Sequence, residues 1–425
     1  MKFEPKLYHL SNGIPVILDD MDIASTRISI TFDTGSRDEK PDEYGITHFC
    51  EHILCKGTNR FPEQKQRLDF LQNNGGVSGA STGVKSLNFH GRIISENLPV
   101  LIDVLADQIT DSLFDEKKIE IERGAILDEF HGSMDKPSRQ RAAFWSKTLF
   151  GWYVPNGLLT IGNPENIKSF TRNQLIEFCH RRMSARNCRI VISGKINDAD
   201  AIIKQLDKLF SKLPTCEVPQ NREIHYTPSI AHNFMPNNSN IFLEIVFPEI
   251  WADTYENRFK NKCVSKFEVF ARQELQQTIR RENGLVYTVE NVSDGNENFS
   301  VNGFGTTASP ENIGQVVALM AKTLHKLITT NPITNEDLQR FNNIAKLGDA
   351  DFLEISGSRS SMLGGFYRRF GKLYDFYESR KMSESITAAD VIQNTREYFS
   401  GPMSIITQGA EFKDDLQQIW IDNFK

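Results

Sequence analysis

The chain lacks any long apolar run and any excess of positive charge. None of its 425 residues lies in a stretch approaching the ~20 apolar residues that a membrane-spanning helix needs. The first six residues have neither the apolar core of a signal peptide nor the Arg- and Ser-rich character of an organelle presequence. The net charge of −6 argues against a nucleic-acid-binding surface. We therefore expect a cytoplasmic protein whose partners are neither membranes nor nucleic acids.

Cysteine is also scarce, and no two cysteines form a CxxC pair, which argues against a disulfide framework and favours reduced, mostly buried thiols. The hydrophobic fraction of 39% and the charged fraction of 24% are typical of a globular protein. A length of 425 residues favours two domains of about 200 residues each.

The second half of the chain repeats the local order of the first. An Asn opens a helix-like apolar pattern, a Thr precedes a later helix, and a short apolar strand then ends in Gly. The pairs lie at offsets of 215, 216 and 215 residues, and they are Asn97 and Asn312, Thr171 and Thr387, and Gly194 and Gly409. Three matches at nearly one spacing predict a duplicated domain.

Each half mixes strands with helices. Residues Thr26–Thr34 alternate polar and apolar side chains, as a half-buried strand does, and Ile241–Phe247 is the matching segment of the second half. We expect an α+β fold of two homologous domains, each a mostly antiparallel sheet covered by helices on one face. The predicted boundaries are an N-terminal domain at 1–213, a proline-containing linker at 214–232 and a C-terminal domain at 233–425.

A metal-binding pattern occupies residues 45–58, which read GITHFCEHILCKGT. His48 and His52 are four residues apart, so on a helix both imidazoles share one face and can reach one ion. Glu51 lies beside that face, where it can act on a water molecule at the metal. This HxxEH order is the reverse of HExxH and is a known zinc-peptidase signature.

A third protein ligand must come from elsewhere, because zinc in a catalytic site takes three protein ligands and leaves one position open. Glu122 and Glu129 are seven residues apart and therefore share a helical face. We expect Glu129 to be the ligand and Glu122 to support it. Cys55, three residues after His52, and Asp128 are the alternative ligands.

These motifs resemble the pitrilysin/insulinase family of zinc peptidases, peptidase family M16, and within it the short-chain branch that includes mitochondrial processing peptidase. The segments Leu10–Gly13 and Gly35–Glu39, the HFCEH helix and the spacing of 77 residues from His52 to Glu129 carry the resemblance. It implies a chain that forms half of a clamshell and binds one Zn²⁺ ion.

Two further segments resemble the family. Gly79, Ala80, Ser81 and Thr82 match its substrate-binding edge strand, although the family usually has Asn in place of Gly79. Arg280 and Tyr287 match its Arg and Tyr segment. The resemblance assigns Glu51, Glu122, Arg280 and Tyr287 catalytic roles.

The expected activity is zinc-dependent hydrolysis of peptides or small unfolded polypeptides inside a closed chamber. Glu51 would take a proton from the attacking water, Tyr287 would donate to the oxyanion, and Arg280 would anchor a substrate carbonyl. Because one chain carries both sets of residues, we expect a homodimer, with a heterodimer of related subunits as the alternative. A dedicated precursor-processing peptidase and a non-catalytic peptide-binding or scaffold subunit are the alternative functions.

Overall fold

The computed structural model describes residues 2–150, 160–216, 226–249, 254–295, 300–399 and 401–425. The chain divides into two compact units. The first unit comprises residues 1–143, 153–222 and 349–374, and the second comprises 144–152, 223–348 and 375–425.

The sheet of the first unit contains six strands in the order β1-β2-β6-β3-β5-β4. Its neighbours pair antiparallel except β2 and β6, which are parallel. The strand β4 is an edge strand. The strands are β1 (Lys6–His9), β2 (Pro15–Asp20), β3 (Ser25–Phe32), β4 (Gly76–Thr82), β5 (Leu87–Ile94) and β6 (Cys188–Gly194).

Helices cover the apolar face of this sheet. Alternate residues of β3, Ile28, Ile30 and Phe32, are fully buried in a core shared with Phe49 of α1 and Leu101 of α3. The helices in this part of the chain are α1 (Ile46–Leu54), α2 (Gln64–Asn73), α3 (Leu98–Thr110), α4 (Glu116–Met134), α5 (Pro137–Phe150, which contributes to both units), α6 (Pro164–Ser169), α7 (Arg172–Arg182) and α8 (Ala199–Phe210).

The second unit has a five-stranded sheet in the order β7-β11-β8-β10-β9. Its strands are β7 (Ile230–Phe234), β8 (Ile241–Glu249), β9 (Val289–Gly295), β10 (Ser300–Ala308) and β11 (Ser404–Gly409). Its helices are α9 (Tyr255–Leu275, continued by a π-helical segment Gln276–Glu282), α10 (Ile313–Thr329), α11 (Asn335–Glu354, whose last turns belong to the first unit), α13 (Phe376–Ser385), α14 (Ala388–Phe399) and α15 (Leu416–Asn423).

The two sheets share one topology, which confirms the predicted duplication and the α+β fold class. Apart from β1, each strand of the first sheet has a counterpart in the second, including the single parallel pair, β2–β6 and β7–β11. Asn97 and Asn312 are the N-cap residues of α3 and α10. Gly194 and Gly409 end their strands at φ +143° and +142°, where a side chain would collide with the neighbouring strand.

One helix departs from the expectation that helices cover a single face. The helix α12 (Ser356–Phe370) lies late in the chain but belongs to the first unit, where it packs on β6, β3 and β2. A Cβ at Gly364 would lie 3.5 Å from the side chain of Val191, which faces away from the main core. Both faces of β6 are therefore covered, and all its residues are buried.

A buried ion pair ties α12 to the first sheet. The guanidinium of Arg359 donates to both carboxylate oxygens of Asp19 on β2, and both side chains are 0% exposed. The predicted C-terminal domain at 233–425 includes this helix, whereas the structure groups 349–374 with the first unit. Within the predicted linker, residues 217–225 lie outside the described part of the chain. Among the described residues, no helix is both long and apolar enough to cross a membrane.

Candidate metal centre

The start of α1 is held by Gly45 and by the buried carboxyl group of Glu39. Gly45 has φ +97°, and a Cβ there would lie 2.6 Å from the carbonyl oxygen of Ile161. The carboxyl oxygens of Glu39 accept hydrogen bonds from the backbone N–H groups of Gly45 (2.8 Å) and Thr47 (2.9 Å). They thereby satisfy helix-terminal donors that the glycine cannot cap. Burial raises the pKa of the Glu39 carboxyl to about 8.

Three potential metal ligands converge from α1 and α4. The Nε2 atoms of His48 and His52 lie 3.8 Å and 3.7 Å from Oε2 of Glu129, and the three ligand atoms lie within 4.8 Å of one another. Two ligands of a tetrahedral zinc ion, each bonded at about 2.1 Å, stand roughly 3.4 Å apart. Two imidazoles and one carboxylate are also the donor set that a catalytic zinc site uses. The cluster therefore fits a zinc ion.

The protonation state of His48 suits a metal ligand. Burial, with a contribution from the neighbouring His52, lowers the pKa of His48 to about 4. The imidazole is therefore neutral near pH 7, and neutral imidazole is the form that binds a metal ion.

A second carboxylate orients His52. The side chain of Glu122 is buried, and its Oε2 lies 2.9 Å from Nδ1 of His52. Its other oxygen lies 2.7 Å from Nζ of Lys56, which follows the end of α1. A carboxylate on the far nitrogen of a ligating histidine fixes the ring orientation and leaves Nε2 facing the metal position.

Glu51 lies between the histidine face and the edge strand β4. The hydroxyl of Thr82 donates to Oε2 of Glu51 at 2.5 Å. Burial raises the pKa of the Glu51 carboxyl, while the Thr82 hydrogen bond and the charge of His52 oppose that rise. A carboxylate with a raised pKa is a better proton acceptor.

The two alternative ligands lie outside the cluster. The thiol of Cys55 accepts a hydrogen bond from Nε2 of Gln108 at 2.9 Å, and burial raises its pKa to about 11. Asp128 is exposed. Among the described residues, the metal-competent group is His48, His52 and Glu129.

The predicted substrate-binding residues lie on the edge strand β4. Ala80 and Thr82 pair with the core residues Phe89 and Leu87 of β5, whereas Gly79 and Ser81 face the opposite side of the sheet. A Cβ at Gly79 would lie 3.1 Å from Nε2 of His90, so the imidazole occupies space that a side chain there would need.

Arg280 and Tyr287 belong to the second unit. The Arg280 guanidinium lies over the Tyr287 ring, 4.8 Å from its centroid. The tyrosine is 81% exposed, so its hydroxyl is open to contact by another molecule.

Sequence reasoning gave no role to two residues of this site. Glu39 acts across a loop on the start of α1, and Lys56 pairs with a carboxylate on another helix. Lys56 lies beyond the end of α1 at Leu54, so the helical period did not predict its contact with Glu122. No sequence spacing links Glu39 to the helix that it caps.

The chain forms two α+β units with mostly antiparallel sheets, and the first unit carries a His-His-Glu cluster next to a further glutamate. This combination is typical of a metallopeptidase. Residues 16–151 match the family described as insulinase (peptidase family M16), and residues 169–344 match the peptidase M16 inactive domain. The chain belongs to peptidase family M16.

Relatives in sequence agree with this membership. An uncharacterized zinc protease of Rickettsia felis is 27% identical over 98% of this chain and 100% of its own length. The mitochondrial-processing peptidase subunit beta of Dictyostelium discoideum is 28% identical over 51% of this chain and 46% of its own length.

Solved structures share the fold. A protease from Helicobacter pylori superposes with a TM-score of 0.81 at 16% identity, over 96% of this chain and 100% of that one. The periplasmic protease PqqL of Escherichia coli gives a TM-score of 0.83 at 15% identity, and this chain matches 51% of it.

Proposed function

We propose that the protein is a zinc metalloendopeptidase that hydrolyses peptides or small unfolded polypeptides. The main support for the proposal is that His48, His52 and Glu129 converge at ligand distances. Glu51 lies beside them, immediately before His52 in the chain. The sequence similarity to proteins named zinc proteases supports it.

Each residue of the proposed zinc centre has a separate role in peptide hydrolysis. Bound zinc supplies a Lewis acid that polarises the scissile carbonyl and makes water more acidic. Glu51 takes the proton of the attacking water and returns it to the leaving amine. Glu122 holds the ring of His52, and Thr82 holds one oxygen of Glu51, which leaves the other oxygen to receive the proton.

The edge strand β4 would bind the substrate backbone. Within the described part of the chain, no strand pairs with its outer edge, and its last residue, Thr82, donates a hydrogen bond to Glu51. An extended peptide can pair there as an added strand, with alternate side chains facing the two sides of the sheet.

The second unit would complete a site on another chain. Arg280 would anchor a substrate carbonyl, and the exposed Tyr287 would donate a hydrogen bond to the oxyanion. The match to half of PqqL and to a processing-peptidase subunit supports association with a second copy or a related subunit. The homodimer and the cytoplasmic location stay predictions.

Peptide cleavage with and without metal tests the activity. The zinc-loaded chain should cleave a quenched fluorescent peptide, a chelator should stop cleavage, and added zinc should restore it. Glu51→Gln should keep zinc and lose about 10²–10⁴-fold in kcat. A zinc-loaded chain that cleaves nothing would instead support a non-catalytic, peptide-binding subunit, and near wild-type cleavage by Glu51→Gln would reject the base.

Mixed chains test the shared site. His52→Ala and Tyr287→Phe variants should each be impaired, and mixing them should restore activity through dimers that contain one intact site. Absence of recovery, with chain exchange verified by tagged subunits, would reject the shared site while leaving the metal centre in place.

A further inference from the structure

A polar cavity of about 450 Å³ lies between α12 and the sheet of the first unit, next to the turn that joins β4 and β5. Three of its lining side chains are basic, namely Lys85, Arg189 and Arg368. None of the described residues that line it is acidic. The lining therefore brings three cationic side chains together in a chain of net charge −6.

The floor of the cavity is a row of polar side chains across four strands. Ser81 of β4 pairs with Asn88 of β5, Asn88 pairs with Thr31 of β3, and Thr31 pairs with Arg189 of β6. Residues directly opposite one another share a face of the sheet. Hydroxyl, amide and guanidinium groups therefore project together toward α12.

Arg189 supplies a buried donor to this cavity. Its side chain is 8% exposed and pairs through Nη1 with Asp33, whereas its Nε has no hydrogen-bond partner among the described residues. A Cβ at Gly364 of α12 would lie 3.7 Å from this Nε, and Gly365 follows. The two glycines leave room in front of a donor that lacks an acceptor. A buried donor without an acceptor is costly, and an anion would satisfy it.

The cavity adjoins the proposed substrate strand. Ser81 faces the cavity, while the next residue, Thr82, turns to the other face and bonds Glu51. A substrate strand added outside β4 would lie four strand spacings from β6, roughly 19 Å, and an extended chain covers that in about six residues. A substrate that leaves the edge strand near Glu51 can thus reach Arg189 with a residue about six positions from the scissile bond.

We propose that this cavity binds a carboxylate of the peptide substrate and gives the enzyme a preference for acidic peptides. The proposal rests on the proposed peptidase function and names its substrate class. The carboxylate comes from an Asp or Glu side chain or from the C-terminus of the peptide.

Matched peptides test the preference. Quenched peptides that carry Glu at single positions about four to eight residues on either side of the cut are compared with the same peptides carrying Gln. The zinc-loaded chain should show about tenfold higher kcat/KM for at least one Glu peptide. A free C-terminus against an amidated one separates the two sources of the carboxylate.

Variants locate the effect in the cavity. The double variant Lys85→Gln/Arg368→Gln should reduce the preference for the Glu peptide over the Gln peptide, and an unchanged preference would overturn the carboxylate site. Arg369→Gln, a neighbouring cation on α12 that does not line the cavity, is the matched control and should keep the preference. Because Arg368 can also contribute to packing, the single variant Lys85→Gln and a melting curve accompany the pair.

The outcomes separate the two proposals. Equal cleavage of all Glu, Gln, free and amidated peptides by the wild type would overturn the carboxylate site and leave the peptidase function standing. Absence of all cleavage would overturn the function. In that case, fluorescence anisotropy compares the binding of a labelled Glu peptide with that of its Gln counterpart. Equal binding of the two peptides would overturn the carboxylate site.

Discussion

The two units share a strand order but differ in the side chains that the corresponding helices α1 and α9 carry. At the repeat offset of 215, His48 and His52 of α1 correspond to Cys263 and Phe267 of α9, both of which are buried in the second apolar core. The same topology therefore supports a polar, partly exposed cluster of potential metal ligands in one unit and a packed apolar face in the other. The sheet and its connections are compatible with either chemistry, so the function lies in a few side chains on that scaffold.

The helices also begin differently. The start of α9 is capped conventionally, since the Thr254 side chain accepts a hydrogen bond from the backbone N–H of Asn257. The start of α1 has a left-handed Gly45 and depends on the buried Glu39. The start of the helix that carries His48 and His52 is thus held by a titratable carboxyl group, whereas the start of α9 is held by a hydroxyl.

The largest stability effect should come from the buried ion pair of Arg359 with Asp19 in the first unit. Arg359→Leu leaves Asp19 buried without its partner and should reduce the free energy of unfolding by about 3–5 kcal/mol. In the second unit, Arg340→Leu removes an exposed pair with Asp337 and should cost no more than about 0.5 kcal/mol. Denaturant unfolding measures both, and equal small losses would show that α12 contributes little to the first unit.

The cap of α1 should make stability depend on pH. Burial raises the pKa of Glu39 from 4.5 to about 8, so the folded chain binds this proton more tightly than the unfolded chain does. Its stabilising contribution is complete below pH 4.5 and is lost as pH rises toward about 8. The loss has a slope of at most about 1.4 kcal/mol per pH unit.

Glu39→Gln should flatten that part of the stability profile between pH 5 and 8, measured as the difference from wild type. Thr254→Ala, at the start of α9, should cost about 1 kcal/mol at every pH. A Glu39→Gln profile parallel to that of the wild type would show that this carboxyl does not titrate in the window.

A smaller effect is expected from the carboxylate behind the metal position. Glu122→Gln removes the charge that orients His52 and should weaken zinc binding by about 10- to 100-fold without abolishing it. A competition titration with a chromogenic chelator measures this affinity. Glu120→Gln, an exposed neighbour paired with Arg123, is the control and should bind zinc as the wild type does. An unchanged affinity in Glu122→Gln would remove this residue from the site.

The sequence predicted those features that depend on short spacings. The histidines are one helical turn apart, and Glu122 and Glu129 are two turns apart. Because both segments are helical, these spacings place each pair on one face of its helix. The 215-residue offset predicted two equivalent sheets, since strand ends and helix caps repeat with the fold.

Features that depend on long-range packing could not be predicted in this way. Asp19 and Arg359 are separated by 340 residues, so no local pattern assigns α12 to the first unit. The bond between Thr82 and Glu51 likewise joins a strand to a helix 31 residues away and becomes visible only once the edge of the sheet is placed.

Metal content most directly tests the central claim that the first unit alone carries a zinc centre. Elemental analysis of the purified chain after zinc loading and desalting should find one zinc ion per chain. Glu129→Gln and His52→Ala should lose most of it, while Cys263→Ala in the second unit should retain it. Full occupancy in Glu129→Gln and His52→Ala, or loss of zinc in Cys263→Ala alone, would contradict the account.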